Sequence, residues 1–216
     1  MTGPMIGNSQ ESRMWYNRGR FFSDTGEYDR AALCYGRVLE YDPRDARAWR
    51  RRGFALIKLE RFDEAVVCYE RALELDPGDA VAWQRKGFAL GKLRRLAEAK
   101  SCLDRALALN PSSIGALHGK GWVLVAERRY DEAMRCYDRI LAIDPDRDFA
   151  RWNRQRILEH KAFRKLAADV GEAEKVVKIP AFVYEVLENR DYGGIDRASA
   201  ALSELLAERS VDTAPG

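Results

Sequence analysis

The sequence predicts an all-α protein built as a solenoid of antiparallel helix pairs, and three observations support that prediction. A period of 34 residues runs through most of the chain without an insertion. Apolar residues within each period recur at intervals of three and four, which is the spacing of an amphipathic helix. A proline in register closes each period, and proline cannot continue a helix. Units that repeat in this way cannot bury their apolar faces alone, so they stack on one another.

Five columns of residues mark the period, and each recurs 34 residues further along the chain. Their members are Trp15, Trp49, Trp83 and Leu117; Gly19, Gly53, Gly87 and Gly121; Ala31, Ala65, Ala99 and Ala133; Cys34, Cys68, Cys102 and Cys136; and Pro43, Pro77, Pro111 and Pro145. The columns define four units, residues 12–45, 46–79, 80–113 and 114–147. Residues 1–11 precede the first unit, and we expect them to be flexible.

The second unit shows why each unit is a pair of helices. Trp49, Gly53 and Leu56 lie on one helical stripe, although glycine costs up to about 1 kcal/mol in a helix interior. We therefore expect a partner helix to pass too close to Gly53 for a side chain, with the small Ala65 facing it. A second apolar stripe begins at Phe62 and ends at an Asp-Pro-Gly-Asp sequence, which stops the helix and turns the chain.

Each unit follows W-x2-[RK]-G-x2-[FL], then an alanine twelve residues after the glycine, an aromatic residue or leucine four later, and a proline eight further on. Leucine replaces the tryptophan in the last unit. This pattern resembles the tetratricopeptide repeat, and the resemblance covers about two thirds of the chain, residues 12–147. The resemblance implies a right-handed superhelix whose first helices line a concave groove. One position departs from the family pattern, because Arg18, Arg52, Lys86 and Lys120 precede the glycines where leucine is usual. We expect their aliphatic stems to lie along the stack and their charged heads to lie in water.

After residue 147 the pattern changes. Residues 148–168 continue as one helix with many basic side chains, which we predict to cap the solenoid, so that the repeat domain spans residues 12–168. We predict a charged linker over residues 169–178. Two amphipathic segments then flank Gly193 and Gly194 and predict a helical hairpin that ends in a disordered tail at residue 216.

Composition excludes several classes of protein. Charged residues make up 33% of the chain, the mean hydropathy is −0.46, and no apolar run approaches the ~20 residues that span a bilayer. The first residues lack the basic and apolar regions of a secretory signal, so we expect a cytoplasmic protein. A net charge of +3 is too small to require nucleic acid as a partner.

No catalytic or metal-binding constellation is visible, so we expect neither enzymatic activity nor a cofactor. Packed helices place equivalent residues of adjacent units roughly 8–10 Å apart, too far for a disulfide, and the cysteines form no CxxC motif. We predict that the cysteines are reduced and buried as small apolar residues. His118 and His160 have no cysteine or carboxylate at a recurring ligand spacing, and residues 169–216 contain neither cysteine nor histidine.

The informative surface is the face that the resemblance assigns to the groove. First-helix positions beside the packed tryptophan and glycine are mostly basic, and an aromatic residue follows the glycine in the last three units. A trough of positive charge favours an anionic ligand. The predicted peptide-binding residues are Asn17, Arg20, Arg47, Arg50, Arg51, Phe54, Lys58, Arg85, Phe88, Lys92, His118 and Trp122. We therefore predict a non-enzymatic scaffold that binds an extended acidic segment, or a C-terminal carboxylate, of another protein.

A narrower hypothesis concerns capture of a carboxylate. Chaperone-binding members of the resembled family hold an acidic C-terminal tail with a five-residue clamp spread over three units. Asn17, Arg47 and Arg51 match its last three positions in type and spacing, whereas the first two positions would belong to a unit before residue 12. A general anion pocket at Arg47, Arg50 and Arg51 is better supported, because guanidinium groups pair bidentately with carboxylates.

Two further functions stay open. Basic residues among aromatic ones also suit single-stranded nucleic acid, whose bases stack on rings, although the small net charge argues against it. The second alternative is a purely structural array that self-associates through the C-terminal hairpin, for example as a homodimer. A steep dependence of binding on salt would favour the first of these alternatives.

Overall fold

The computed structural model describes residues 7–173, and its regular secondary structure in that range is entirely helical. The helices are α1 (Gly7–Asp24), α2 (Tyr28–Tyr41), α3 (Ala46–Lys58), α4 (Phe62–Leu75), α5 (Ala80–Lys92), α6 (Leu96–Leu109), α7 (Ile114–Ala126), α8 (Tyr130–Ile143) and α9 (Asp148–Ala173). From α1 to α8, each helix packs on the next, and each predicted unit supplies one pair. The predicted all-α solenoid is therefore confirmed. None of the described helices is long and apolar enough to cross a membrane.

The chain divides into two compact units after Arg147, where the fourth predicted repeat ends. Helix α9 belongs to the second unit and continues to Ala173, so the first residues of the predicted linker are helical. Helix α1 begins at Gly7, so the last residues of the predicted flexible N-terminus are helical as well. Both helices extend further than predicted because no proline interrupts them. The predicted hairpin and tail lie outside the described residues.

The two helices of each pair are joined by one type of turn, in which a single residue adopts the left-handed backbone conformation. Gly26 occupies this position in the first unit with φ of 83°, and Glu60, Arg94 and Arg128 occupy it in the others with φ of 58°, 63° and 62°. The residue after Glu60 donates its N–H to the carbonyl oxygen of Leu56 at 2.9 Å, and the other turns repeat this bond. The bond satisfies a carbonyl group at the end of the first helix.

The tryptophan and proline columns meet at the turns between units. The indole nitrogens of Trp49 and Trp83 donate to the carbonyl oxygens of Pro43 and Pro77 at 2.9 and 3.0 Å. The next helix then begins at a capping side chain, and Asp79 accepts two backbone N–H groups of α5 at 3.0 Å each. Such a cap stabilises a helix by about 1 kcal/mol. The tryptophan and proline therefore fasten the first two of these turns to the helices that follow them, whereas Leu117 at the third cannot donate such a bond.

The glycine column allows the two helices of each pair to approach closely, as predicted. A Cβ built on Gly19, Gly53, Gly87 or Gly121 would lie 2.9, 3.0, 2.7 or 2.9 Å from the side chain of Tyr35, Tyr69, Leu103 or Tyr137, respectively. All four of these side chains are fully or almost fully buried. The group nearest to the glycine of the second unit is thus the ring of a tyrosine, whereas at Gly87 the backbone oxygen of Ala99, the equivalent of Ala65, is also close, at 3.1 Å. The ring on the second helix fills the space left by the missing side chain.

Two of the four charged heads that we expected in water, those of Lys86 and Lys120, form ion pairs between units. Lys86 Nζ lies 3.0 Å from Glu70 Oε1, and Lys120 Nζ lies 2.5 Å from Asp104 Oδ1. Each pair joins a first helix to the second helix of the preceding unit. The side chain of Lys86 is only 17% exposed, so this pair is more shielded from water than an ordinary surface salt bridge.

The four cysteines are free and buried, as predicted. Their exposed fractions lie between 3% and 6%. Burial raises the pKa of each thiol, and it raises the pKa of Cys68 to about 11. The thiols are therefore uncharged at neutral pH and pack as small apolar groups.

Gly87→Ala should lower the free energy of unfolding by about 1–3 kcal/mol, because a Cβ there lies 2.7 Å from Leu103 Cγ and 3.1 Å from the backbone oxygen of Ala99. Gly36→Ala is the matched control, since a Cβ at that helical position meets only Arg52 Cζ, at 3.9 Å. The control should gain up to about 1 kcal/mol from its higher helix propensity. Urea denaturation followed by circular dichroism measures both variants. Equal stabilities would contradict the close approach of α5 and α6.

The cysteines should not react with Ellman's reagent at pH 8 while the chain is folded. Their raised pKa keeps them protonated at that pH, and burial prevents contact with the reagent. After unfolding in guanidinium chloride, the absorbance should report all four thiols. A fast reaction of the native chain would show that at least one thiol is accessible and ionised.

Candidate functional site

The first helices of the last three repeats, α3, α5 and α7, form one face of the stack. Helices α5 and α7 pack directly on each other, and α3 and α5 meet over a shorter stretch. Within residues 7–173, no two second helices are in comparably extensive contact. The stack is therefore tighter on the side of the first helices, which makes that side the inner face. The predicted peptide-binding residues belong to first helices.

A pocket of about 330 Å³ opens on this face between α3 and α5. It is lined by Arg50, Arg51, Phe54, Tyr69, Val81 and Arg85. Four of these residues belong to the predicted set, so the structure brings together side chains that lie 35 positions apart in the sequence. We call this cavity the α3–α5 pocket.

The three arginines of the α3–α5 pocket are held in different ways. Arg85 lies with its Cζ 5.1 Å from the ring centroid of Phe54, within the range of a cation–π contact. Arg50 donates through Nη1 to Asp79 Oδ2 at 2.7 Å, and Asp79 is also the cap of α5. This ion pair fixes the guanidinium group of Arg50 at the rim and neutralises part of its charge. No ion pair between a carboxylate and Arg51 or Arg85 is formed within the described part of the chain.

The hydroxyl group of Tyr69 lies buried at the pocket without a hydrogen-bond partner. Its side chain is completely buried, and burial raises the pKa of the phenol well above its usual value. The positive charges of Arg85 and Arg50 act in the opposite direction. A buried hydroxyl that makes no hydrogen bond costs about 1–3 kcal/mol, so a ligand atom that pairs with it would recover that energy.

A related arrangement lies between α1 and α3. Tyr35 packs edge-to-face on Tyr16, with ring centroids 5.6 Å apart, and its hydroxyl group is likewise buried and unpartnered. Burial raises the pKa of Tyr35 to about 12, while the nearby charges of Arg51 and Arg20 lower it. Arg47 Cζ lies 5.9 Å from the ring centroid of Tyr16. Predicted basic residues therefore also surround a buried tyrosine at the first interface between units.

The aromatic residues that follow the glycines have packing roles that the sequence did not reveal. Phe54 packs edge-to-face on Tyr28, and Phe88 on Phe62, with ring centroids 6.3 and 6.5 Å apart. Trp122 lies over Gly91, where an added Cβ would come within 2.9 Å of the indole. Phe88 and Trp122 nevertheless stay 41% and 38% exposed. Each ring thus fills a gap between units and also offers part of its surface to a ligand.

The remaining predicted residues lie around these rings or apart from them. The amino groups of Lys58 and Lys92 lie 5.7 and 5.6 Å from the ring centroids of Phe54 and Phe88. Asn17 is exposed on α1 and lines a separate hollow, together with Arg13, Met14 and Phe21. It does not line the α3–α5 pocket, so the three positions that match the clamp are not collected in one cavity.

His118 is half-buried, and its ring centroid lies 6.3 Å from that of Tyr137. Burial lowers the pKa of His118, so the imidazole is mostly neutral at pH 7. It therefore adds no positive charge to the inner face at neutral pH. Among the residues that the structure describes, no group of histidine, cysteine and carboxylate side chains has the arrangement of a metal site.

Sequence reasoning missed Tyr69 and Val81 as members of the pocket. Tyr69 belongs to a second helix, and the repeat pattern indicates only that an aromatic residue or leucine recurs at its position. Its polar end was the available signal, because tyrosine recurs at three of the four positions where an aliphatic residue would pack as well. Val81 lines the pocket and keeps 50% of its surface exposed, which is a large exposed fraction for an apolar side chain.

Four models of the tetratricopeptide repeat match the chain, over residues 12–45, 46–79, 68–101 and 92–155. Together they span the four predicted units. A search of curated protein sequences gives no significant match.

Solved structures are similar to the chain over most of its repeats. The structure of the MamA protein superposes with a TM-score of 0.66 at 22% identity, covering 80% of this chain and all of that one. YrrB, described as a protein of this repeat type with an unusual peptide-binding site, has a TM-score of 0.59 at 27% identity, and the match covers 68% of this chain and 76% of that one. The first repeat domain of Spaghetti (RPAP3), bound to the HSP90 peptide SRMEEVD, has a TM-score of 0.54 at 28% identity, and the match covers 56% of this chain and 96% of that one.

Tyr69→Phe should leave the ligand-free chain as stable as the parent or more stable by up to about 1 kcal/mol. The change removes a buried hydroxyl group that has no partner, and the ring that fills the space under Gly53 stays in place. Tyr69→Leu is the informative comparison, because it removes the ring and should lower stability. Thermal and urea denaturation measure both. A Tyr69→Phe variant that loses more than about 1 kcal/mol would show that the hydroxyl is already hydrogen-bonded within the chain.

Proposed function

We propose that this chain, which belongs to the tetratricopeptide repeat family, binds an extended acidic segment of a partner protein along the face of its first helices. The observation that carries the proposal is the α3–α5 pocket. Three arginines and an aromatic ring line this pocket, beside a buried hydroxyl that has no partner in the described chain. The broader role of a protein-interaction scaffold follows from the family and from relatives solved with bound peptides.

The charge of the site supports an acidic ligand. Arg50 is already paired with Asp79, so Arg51 and Arg85 are the two cations of the pocket that a ligand can neutralise. Arg47 extends the positive surface toward α1, because the one ion pair that it forms within the described residues is long, with 3.8 Å between Arg47 Nε and Asp45 Oδ1. Guanidinium groups bind carboxylates bidentately, which fixes both the position and the direction of the ligand side chain.

The apolar residues of the site favour a peptide in which acidic and apolar side chains follow one another at a suitable spacing. Phe54 lies in the pocket, and the exposed edges of Phe88 and Trp122 follow along the same face. Alternate side chains of an extended peptide point to opposite sides of its backbone. A segment in which acidic and apolar residues are interspersed can therefore place carboxylates on Arg51 and Arg85 and apolar groups on the rings. Lys58 and Lys92 add positive charge beside those rings.

The relatives support this chemistry. The peptide bound to the first repeat domain of Spaghetti, SRMEEVD, carries three acidic residues and a valine near its end. The second repeat domain of human RPAP3, 29% identical to this chain with a TM-score of 0.51, was solved with the HSP70 peptide SGPTIEEVD. Because Asn17 lies away from the α3–α5 pocket, the present chain would hold such a peptide with a different set of residues.

Relatives of this fold act as scaffolds, and we propose the same non-enzymatic role here. The cytoplasmic location, the exclusion of nucleic acid and self-association through the C-terminal segment stay predictions. Binding of nucleic acid would place phosphates on the same arginines and would weaken steeply with salt.

The double variant Arg51→Glu with Arg85→Glu should bind acidic peptides at least about 100-fold more weakly, since it removes two charge-assisted contacts worth about 1.5–3 kcal/mol each. Peptides are first selected from a random display library on the parent chain, and we expect the selected sequences to be rich in Asp and Glu. Fluorescence polarisation with a selected, labelled peptide then measures the dissociation constant. Tyr69→Phe should lower the affinity for the same peptide by a smaller factor.

Arg71→Glu with Arg105→Glu is the matched control, because it changes the net charge equally at exposed positions on second helices. Its affinity should stay close to that of the parent. The proposal fails if both double variants bind the peptide with the same affinity. It also fails if binding survives Arg51→Glu with Arg85→Glu and disappears on deletion of residues 180–216. A poly-dT oligonucleotide that displaces the peptide at low concentration would favour the nucleic-acid alternative.

A further inference from the structure

The ion pairs between units are interrupted at one place. Lys86 with Glu70, and Lys120 with Asp104, occupy the same register at the second and third interfaces. At the first interface, the register places Arg52 at the position of the lysines and Gly36 at the position of the carboxylates. The cation is present there, and the carboxylate that should pair with it is missing.

Arg52 shows the consequence of this gap. Its Nε is buried and makes no hydrogen bond, and no carboxylate within residues 7–173 forms an ion pair with its side chain. A buried donor without a partner costs free energy that every equivalent position in the stack avoids. Within the described residues, the cation of this register at the first interface therefore lacks the carboxylate that pairs with the lysines at the other two.

No contact within the described chain accounts for Gly36. It lies in the interior of α2, where glycine is unfavourable, and its φ is not left-handed. A Cβ on Gly36 would meet only Arg52 Cζ, at 3.9 Å, whereas a Cβ on Gly53 would lie 3.0 Å from the Tyr69 ring. The close packing that explains the glycines of the first helices thus does not apply to Gly36.

The gap opens into a broad hollow of about 830 Å³ on the surface formed by α1, α2 and α3. Arg18, the first-unit equivalent of Arg52, also lines it and stacks on Trp15 with its Cζ 4.9 Å from the ring centroid. The other cations of the hollow are already paired: Arg30 with Glu27, Arg37 with Glu40 and Arg61 with Glu64, at 2.6, 2.7 and 2.6 Å. Within the described residues, Arg18 and Arg52 are therefore the two cations of the hollow that form no ion pair, although the carboxylates of Asp29 and Glu40 also line it.

The same hollow includes an exposed apolar side chain. Leu33 is 71% exposed and lines the cavity beside these cations. A leucine so exposed on a helix adds nothing to the core of the described chain. Leu33 lies near Arg18 and Arg52, which form no ion pair within the described residues. When an acidic residue of a partner protein binds these arginines, the residues that flank it can contact Leu33, whereas a free anion has no such residues.

We propose that Arg52 and Arg18 form a second carboxylate-binding site, which an acidic side chain of a partner protein fills from outside the chain. The bound carboxylate takes the place that Glu70 and Asp104 occupy at the other interfaces, and Gly36 leaves the room for it. The partner segment lies along α2 and contacts Leu33. This site lies on a different side of α3 from Arg50 and Arg51 and is separate from the α3–α5 pocket.

The test is a nuclear magnetic resonance titration of the full chain, observed at the arginine Nε–Hε groups at constant ionic strength. The probe is N-acetylated, C-amidated triglutamate, and Arg52→Lys assigns the signal. We expect a saturable shift of the Arg52 signal. Gly36→Glu should abolish this shift, because the chain then supplies its own carboxylate, and Gly36→Ala should keep it. Arg51→Gln with Arg85→Gln should also keep it, which separates this site from the inner face.

Stability provides a second measurement. Gly36→Glu should raise the midpoint of thermal unfolding above that of Gly36→Ala, and the difference should shrink in 1 M sodium chloride. If Gly36→Glu does not fold, Arg52→Gln takes its place, and the titration then follows the Nε–Hε signal of Arg18, the other cation of the site, whose shift should become much smaller.

Several outcomes would overturn the proposal. One is the absence of a saturable shift. Another is an equal response to inorganic phosphate or chloride, which would show an adventitious ion only. A third is an Arg52 signal that in the free parent chain already matches that of Gly36→Glu, because a carboxylate of the chain itself would then occupy the site.

Discussion

The contact between a glycine on the first helix and a large side chain on the second is the constraint on which the rest of the structure depends. At Gly19, Gly53, Gly87 and Gly121 there is no room for a Cβ, since the ring or leucine of the partner helix already fills that space. Each contact sets how closely the helices of a pair approach. The distances between pairs, and hence the width of every surface hollow, follow from that approach. A period without insertions is needed because each unit must present the same contact to keep the stack regular.

The same contact connects packing with the inner face. A tyrosine that reaches under a glycine has its ring in the core and its hydroxyl near the opposite surface of the first helix. This is why Tyr69 both supports α3 and lies at the α3–α5 pocket. In the third unit Leu103 takes this role without a hydroxyl, so the inner face there lacks the polar group. In the proposed function, packing and ligand recognition would share this one residue, and a variant that keeps the ring would separate the two effects.

Charges in this chain have two kinds of role, and the type of residue does not distinguish them. Arg50 pairs with the capping side chain of the following helix and so fastens two units together. At the next interface Ser113, the cap of α7, makes a corresponding link by donating its hydroxyl group to Gln84 Oε1 at 3.1 Å. Arg51, the immediate neighbour of Arg50, has no such carboxylate in the described chain and adds uncompensated positive charge to the inner face. An arginine one position along a helix points about 100° away, which is enough to turn it from the cap of the following helix toward the open inner face.

The sequence alone determined the period, the helix pairs, the four repeats and the basic and aromatic character of the first helices, because each is a property of spacing along one chain. The extent of α1 and α9, the left-handed residues Glu60, Arg94 and Arg128, and the packing partners of the aromatic residues emerged only from the structure. So did the membership of Tyr69 in the pocket and the pairing of Arg50. The physical reason is that a partner for a side chain is chosen by distance in three dimensions, and the pocket draws on three helices from two units. A pattern read along the chain shows which residues recur, whereas only the packed helices decide which charges meet a carboxylate.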